Sequence, residues 1–365
     1  MNKIKILQFV GSMKNGGVES FVLSYFRELH ELCEFTFVCF DDSTNIPREE
    51  IEKLGGKIEI VPHVKKLGQF NKAFDKILKE NHYDIIHSNI NTLSVFVLRI
   101  AKKNGYKIRI AHAHASSSRK EFVRHIIKSI LKNFSRKYAN VYFACGEEAG
   151  RYQFGNKAYN NNKVILINNC IDVDRFKFNQ DDRKLIRDSL NLKDDDFVIG
   201  TVGRLVSVKN HNFILKLANI NKDKKFVLVG SGELEQDLNA KIKEMKLENV
   251  MIVNALYPIE KYYSAFDTFV LPSLYEGFGI VAIEAEANGL YCLLSDQISR
   301  KVLISKYGEY LPIDKNGLEK WNEALQIKHK RIDCSKELKE QNFDIKESAK
   351  YLYKKYLELM EQFKD

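Results

Sequence analysis

The chain alternates short apolar runs with longer amphipathic stretches almost from its start. Ile4–Val10, Phe35–Phe40, Ile58–Val61, Ile85–His87, Ile108–Ala111, Val141–Cys145 and Val164–Ile167 are β-rich and brief, which predicts strands. Stretches such as Val18–Leu32 and Ile90–Asn104 carry apolar residues at helical spacing. Strands separated by helices predict a parallel sheet covered on both faces.

The pattern then restarts. Phe197–Val202 reads as a strand leading through a turn into a helix near Asn210–Asn219, and Phe226–Val229, Val250–Val253, Thr268–Leu271 and Tyr291–Leu294 continue the series. Between the two series lies Asp172–Asp196, polar and poor in apolar residues, so the inter-domain connection is expected within or just before it. Glu347–Phe363, with Tyr351, Tyr353, Tyr356, Leu357 and Met360, reads as one amphipathic helix. The expectation is α/β: two facing Rossmann-like, doubly wound domains, with ligands at the carboxyl ends of the strands and a cleft between the domains.

Length and charge narrow the class. A chain of 365 residues suits two domains. The formal net charge of +10 favours anionic partners. Lys and Arg gather between Ala101 and Asn140 against the single acid Glu121. The cysteines form no C-x-x-C pair and several adjoin apolar runs, which predicts buried thiols in a reducing compartment. Neither a signal peptide nor an apolar run of spanning length is read, so the expected location is the cytoplasm.

Three motifs carry chemistry. Gly11-Ser12-Met13-Lys14-Asn15-Gly16-Gly17-Val18-Glu19 is a glycine-rich exit from the first strand, where backbone can approach an anion at a helix start. It is neither G-x-G-x-x-G nor a P-loop. Gly203-Arg204-Leu205-Val206-Ser207-Val208-Lys209-Asn210-His211 places two cations in a strand-to-helix loop, an arrangement suited to a diphosphate. Pro272 to Ala285 sets Glu276 in a loop and Glu284 early in an apolar helix, with Gly277-Phe278-Gly279 between. A carboxylate there is costly unless paired or bound, and a polyol ligand such as ribose would satisfy Glu284. The N–H groups of Phe278, Gly279 and Ile280 should be unpaired at that helix start.

Glu276 and Glu284, with seven residues between them, resemble the E-x7-E motif of retaining glycosyltransferases of the GT-B fold, family 4 (glycosyl transferases group 1). Further pieces resemble the same family in order: Gly16-Gly17-Val18-Glu19, Asn169-Cys170-Ile171-Asp172 with Cys170 where Gly is usual, Val202-Gly203-Arg204-Leu205 with Lys209-Asn210-His211, Val229-Gly230-Ser231-Gly232-Glu233, and Ala287-Asn288-Gly289 with Ser295-Asp296. The resemblance covers nearly the whole chain. It implies an acceptor-binding domain over 1–170, a nucleotide-sugar domain over 171–345, and a helix at 346–365 packing back on the first domain.

The resemblance also implies roles. Arg204 and Lys209 should hold the donor diphosphate beside Gly203, and Glu284 the ribose. Glu276 with the backbone of Phe278, Gly279 and Ile280 should hold the transferred sugar. Gly16 and Gly17 should close over the phosphates from the opposite domain. His112 and His114 end a strand, where an imidazole can hydrogen-bond a sugar hydroxyl or support developing charge. The family places a functional His here, and His114 is favoured over His112. The implied reaction moves a hexose or N-acetylhexosamine from a nucleotide diphosphate sugar, UDP on family grounds, to a glycan on a lipid carrier in capsule or exopolysaccharide assembly.

No cofactor is expected and no metal: Asp172-Val173-Asp174 and Asp194-Asp195-Asp196 resemble a D-x-D only superficially, and Arg204 and Lys209 already supply positive charge. Arg119–Lys137 reads as a basic amphipathic helix, equally suited to packing or to docking on an anionic inner leaflet. Rivals are another GT-B enzyme, such as a nucleotide-sugar epimerase or a phosphorylase, an inactive transferase-like scaffold, and a basic nucleic-acid-binding protein. The last is disfavoured because aliphatics, not aromatics, interleave the basic positions.

Overall fold

A computed structural model describes residues 3–14, 17–114, 131–255, 258–276, 278–314 and 316–364. The chain divides into two compact units. The first comprises Met1–Cys170 and Ile345–Asp365; the second is Ile171–Asp344.

The first unit is built on seven parallel strands: β1 (Ile4–Gly11), β2 (Cys33–Phe40), β3 (Lys57–Val61), β4 (Ile85–Ser88), β5 (Ile108–Ala113), β6 (Val141–Ala144) and β7 (Val164–Leu166). Their order is β3-β2-β1-β4-β5-β6-β7. The order reverses between β1 and β4, where ligands of open α/β sheets bind. Helices cover both faces, so the strands are apolar nearly throughout. On one face the helix Gly17–Leu29 and the last helix, Ile345–Gln362, pack together over Ile6, Phe37, Ile110 and Phe143. On the other, Phe9, Phe40, Phe70 and Phe74 form edge-on and stacked ring contacts.

The second unit carries six parallel strands: β8 (Val198–Val202), β9 (Lys225–Val229), β10 (Val250–Val253), β11 (Thr268–Leu271), β12 (Tyr291–Ser295) and β13 (Gly308–Leu311). They lie in the order β10-β9-β8-β11-β12-β13, reversing between β8 and β11. β13 was not anticipated by the pattern, because its Gly-Glu-Tyr-Leu has neither a β-branched run nor clear alternation. The polar segment 172–196 is folded into this unit. It holds the helix Gln180–Ser189, capped by Asn179, whose side chain accepts from the Asp182 N–H. Arg187 on that helix is almost fully buried, paired with Asp267 at 2.7 Å and donating to the carbonyls of Ala265, Lys193, Asp194 and Asp196.

All six cysteines are free and buried. Among the described residues no helix is long and apolar enough to cross a membrane. The amphipathic segment expected over 119–137 falls largely outside the described residues. In the described part, 131–138 is helical. There Arg136 donates to the Phe154 carbonyl and Lys132 lies over the Tyr152 ring, while Phe134 is exposed.

Candidate active site

In the second unit the two charged motifs leave adjacent strands at the reversal point. The loop after β8 carries Gly203, Arg204 and Lys209; the loop after β11 carries Ser273 and Glu276. They are stitched together: Leu274 N–H donates to the Val208 carbonyl at 2.8 Å, and the Asn210 amide donates to the Pro272 carbonyl at 3.1 Å. The Lys209 ammonium sits 2.7 Å from Glu276 Oε1, and Ser273 Oγ donates to the same oxygen at 2.6 Å. Arg204 is exposed, and among the described residues its guanidinium has no partner.

Close backbone packing supports this edge. Leu205 N–H donates to the Ser231 carbonyl and Leu234 N–H to the Leu205 carbonyl. Gly230 has φ +145°, and a Cβ there would lie 2.0 Å from the Gly203 carbonyl oxygen. Only glycine permits that approach.

The helix Ile280–Ala287 begins at Gly279, which adopts φ +79°. Among the described residues no hydrogen bond engages the N–H of Phe278, Gly279 or Ile280. These donors and the helix dipole favour an electron-rich ligand. On the next turn the half-buried Glu284 accepts from the Tyr263 hydroxyl at 2.5 Å. Burial pushes its carboxyl up to about 7 despite that hydrogen bond. Glu286, two positions on, is fully buried and serves the fold: it accepts the N–H groups of Ile304 and Ser305, and burial raises it to about 7.

In the first unit, His112 near the end of β5 and His114 just beyond it have stacked rings, centroids 4.1 Å apart, and Phe21 stands edge-on to both. His112 Nδ1 meets His87 Nε2 at 3.0 Å, and His114 Nε2 meets Asn89 Oδ1 at 3.0 Å. Burial lowers His87 and His114 to about 3 and His112 well below its ordinary value, so all three are neutral imidazoles at physiological pH. Gly17 opens its helix and is exposed, while Gly16 lies outside the described residues.

Pattern reading missed Tyr263, His87, Asn89, Gln8 and Tyr356 as partners of these groups. His87, a polar residue ending an apolar strand, was the one visible signal. The D-x-D look-alikes are local turns: Asp172 accepts the N–H groups of Asp174 and Arg175, and Asp196 accepts that of Lys193. Among the described residues no group of three or more His, Cys, Asp or Glu could hold a metal.

Two parallel α/β units, each with polar groups gathered at the carboxyl ends of its strands, define a GT-B architecture. The comparisons agree. Residues 15–175 match Glycosyltransferase Family 4 and residues 182–331 match Glycosyl transferases group 1. EpsF of Bacillus subtilis (strain 168), which carries the name of a glycosyltransferase, is 31% identical over 82% of this chain and 80% of its own. The UDP-Gal:alpha-D-GlcNAc-diphosphoundecaprenol alpha-1,3-galactosyltransferase of Escherichia coli is 28% identical over 68% of this chain and 67% of its own. Among solved structures, Anabaena HepE (Alr3699) in complex with UDP and glucose superposes with a TM-score of 0.77 at 19% identity, covering 96% of this chain and 99% of its own. The chain belongs to the GT-B glycosyltransferases of family 4, and it is a glycosyltransferase.

Proposed function

We propose that this enzyme transfers a hexose or N-acetylhexosamine from a UDP-sugar to a glycan on a lipid carrier, in capsular or exopolysaccharide assembly. The observation that carries the reading is the Lys209–Glu276 pair, with the exposed Arg204 on the same loop as Lys209 and Glu284 on the helix that follows Glu276. Arg204 and Lys209 hold the diphosphate and stabilise it as the C1–O bond breaks. Glu284 takes the ribose hydroxyls. Glu276 and the N–H groups at 278–280 hold the sugar. The acceptor hydroxyl forms the new bond to C1 as the C1–O bond to UDP breaks, so the products are the glycoside, UDP and the proton released from that hydroxyl. Family membership supports retention of configuration, and the two cations support a reaction without metal or cofactor. UDP as nucleotide and a lipid-diphosphate acceptor follow what the Escherichia coli relative's name states of that protein. The same acceptor supports a cytoplasmic enzyme meeting the inner leaflet, for which residues 119–137 are the candidate contact.

The test is thermal stabilisation by UDP, GDP and ADP with and without EDTA, followed by release of UDP from a panel of UDP-sugars on an undecaprenyl-diphosphate glycan. Stabilisation by UDP that ignores EDTA and disappears in Glu284→Ala supports the donor site. No shift with any nucleotide overturns it.

A further inference from the structure

Gln8 on β1 pairs in register with His87 on β4, and His87 with Ile110 on β5, so Gln8, His87 and His112 point to one face of the sheet. Tyr356, from the helix Ile345–Gln362, is fully buried on that face. Together they form a closed hydrogen-bond network with a readable direction.

The direction starts at Asn89. Its Nδ2 faces two acceptors, Gln8 Oε1 at 2.8 Å and the Phe9 carbonyl at 3.5 Å, which leaves Oδ1 to accept from His114 Nε2. With Oε1 taken, Gln8 offers Nε2 to the Tyr356 hydroxyl at 3.3 Å and towards His87 Nδ1 at 3.4 Å. Tyr356, accepting from Gln8, gives its own hydrogen to His87 Nδ1 at 2.8 Å. A neutral imidazole accepting at Nδ1 carries its hydrogen on Nε2, so His87 donates to His112 Nδ1. His112 must then carry its hydrogen on Nε2. That atom is buried and, among the described residues, has no partner. A buried donor left unsatisfied is costly, so it marks a place for a ligand acceptor. His114, with its Nε2 hydrogen given to Asn89, keeps a lone pair on Nδ1.

We propose that Gln8, His87 and Tyr356 are positioning residues that fix His112 as an Nε2–H donor beside the Nδ1 acceptor of His114, a pair matched to the hydroxyls of the sugar ligand. A hydroxyl both gives and receives a hydrogen bond, and the stacked rings offer one of each. In this arrangement His112 is not a base, since its only lone pair is held by His87. The sugar-facing part rests on the transferase reading; the tautomer assignment stands on the network alone.

The test uses the full chain labelled with 15N-histidine, His112 being assigned through His112→Gln. Long-range 1H–15N correlation should show His112 protonated on Nε2, bare on Nδ1 and unchanged between about pH 5.5 and 8.5. A hydrogen on Nδ1, or an imidazolium forming in that range, overturns the assignment whatever the enzyme binds. In Gln8→Leu/Tyr356→Phe, His112 should become a mixture of tautomers. Turnover of the active UDP-sugar should fall about tenfold, the worth of one hydrogen bond, with the Kd for UDP changed less than about twofold. His112→Gln, which restores an N–H donor, should retain more turnover than His112→Leu. Unaltered tautomer and turnover in the double variant overturn the positioning role, and if that variant fails to fold, the wild-type spectrum decides. Failure of wild-type protein to bind UDP overturns the sugar-facing part and leaves the tautomer result standing.

Discussion

Lys209 and Glu276 stand 2.7 Å apart on the loops that follow adjacent strands, both largely shielded from water. The ammonium proposed to meet the donor phosphates is thus held by the carboxylate proposed to meet the sugar. Lys209→Met should lower kcat by about 10²–10³, the loss seen when a preorganised charge is removed from a departing group. It should also lower the melting temperature, because among the described residues Glu276 keeps only Ser273 as partner. Adding Glu276→Gln should restore the melting temperature but not the activity. Circular dichroism melts beside steady-state rates check both halves.

Glu284 should make nucleotide binding depend on pH. Its folded-state pKa is about 7, above the value of about 4.3 in an unfolded chain. Ribose hydroxyls donate to the ionised form, so the proton must leave on binding. UDP affinity should therefore plateau above pH 7 and fall below it, by up to about tenfold per pH unit. Glu284→Gln should bind weakly and without that slope. Calorimetric titration from about pH 5.5 to 8.5 measures it.

Stability should run the other way. Glu284 and Glu286 both bind protons more tightly folded than unfolded. Their contribution is complete below about pH 4.3 and is lost as pH rises through about 7. Glu286→Gln should reduce the slope of stability against pH in that window, as followed by urea unfolding.

Gly230→Ala should damage the site more than the fold. The added methyl would collide with the Gly203 carbonyl and push the Arg204 loop away from its strand. UDP affinity should fall at least tenfold. Gly105→Ala, which also replaces a positive-φ glycine but meets nothing within 4 Å, should cost stability alone. Comparing melting temperature with UDP affinity for the two variants separates strain from displacement.

Arg187→Met should lower the second unit's melting temperature by about 10 °C. It would leave Asp267 and several carbonyls short of a buried donor, a loss of about 3–5 kcal/mol. Lys76→Met, removing an exposed pair with Glu80, should change it by about 1 °C or less. Scanning calorimetry reads both.

These contrasts show what pattern reading can reach. The strand–loop–helix units that carry Arg204, Lys209, Glu276 and Glu284 were legible because each is one continuous stretch whose shape is fixed locally. Tyr263, His87 and Tyr356 were not. Tyr263 meets Glu284, His87 meets His112 and Tyr356 meets His87 only through sheet register and helix docking, across many residues of chain. The helix Gln180–Ser189 was hidden for a related reason. Its inward face includes an arginine, and buried arginine looks like surface until Asp267 is found beside it.

The return of the last helix to the first unit sets an order on biosynthesis. A chain emerging from the ribosome completes the second unit at Asp344, before the unit that began it. Tyr356 follows the whole of the second unit in the chain, so the network proposed to orient His112 is assembled only after that unit has all its sequence. A nascent chain arrested before this helix would hold the complete second unit, with Lys209 and Glu276, and a first unit whose histidines lack their final constraint.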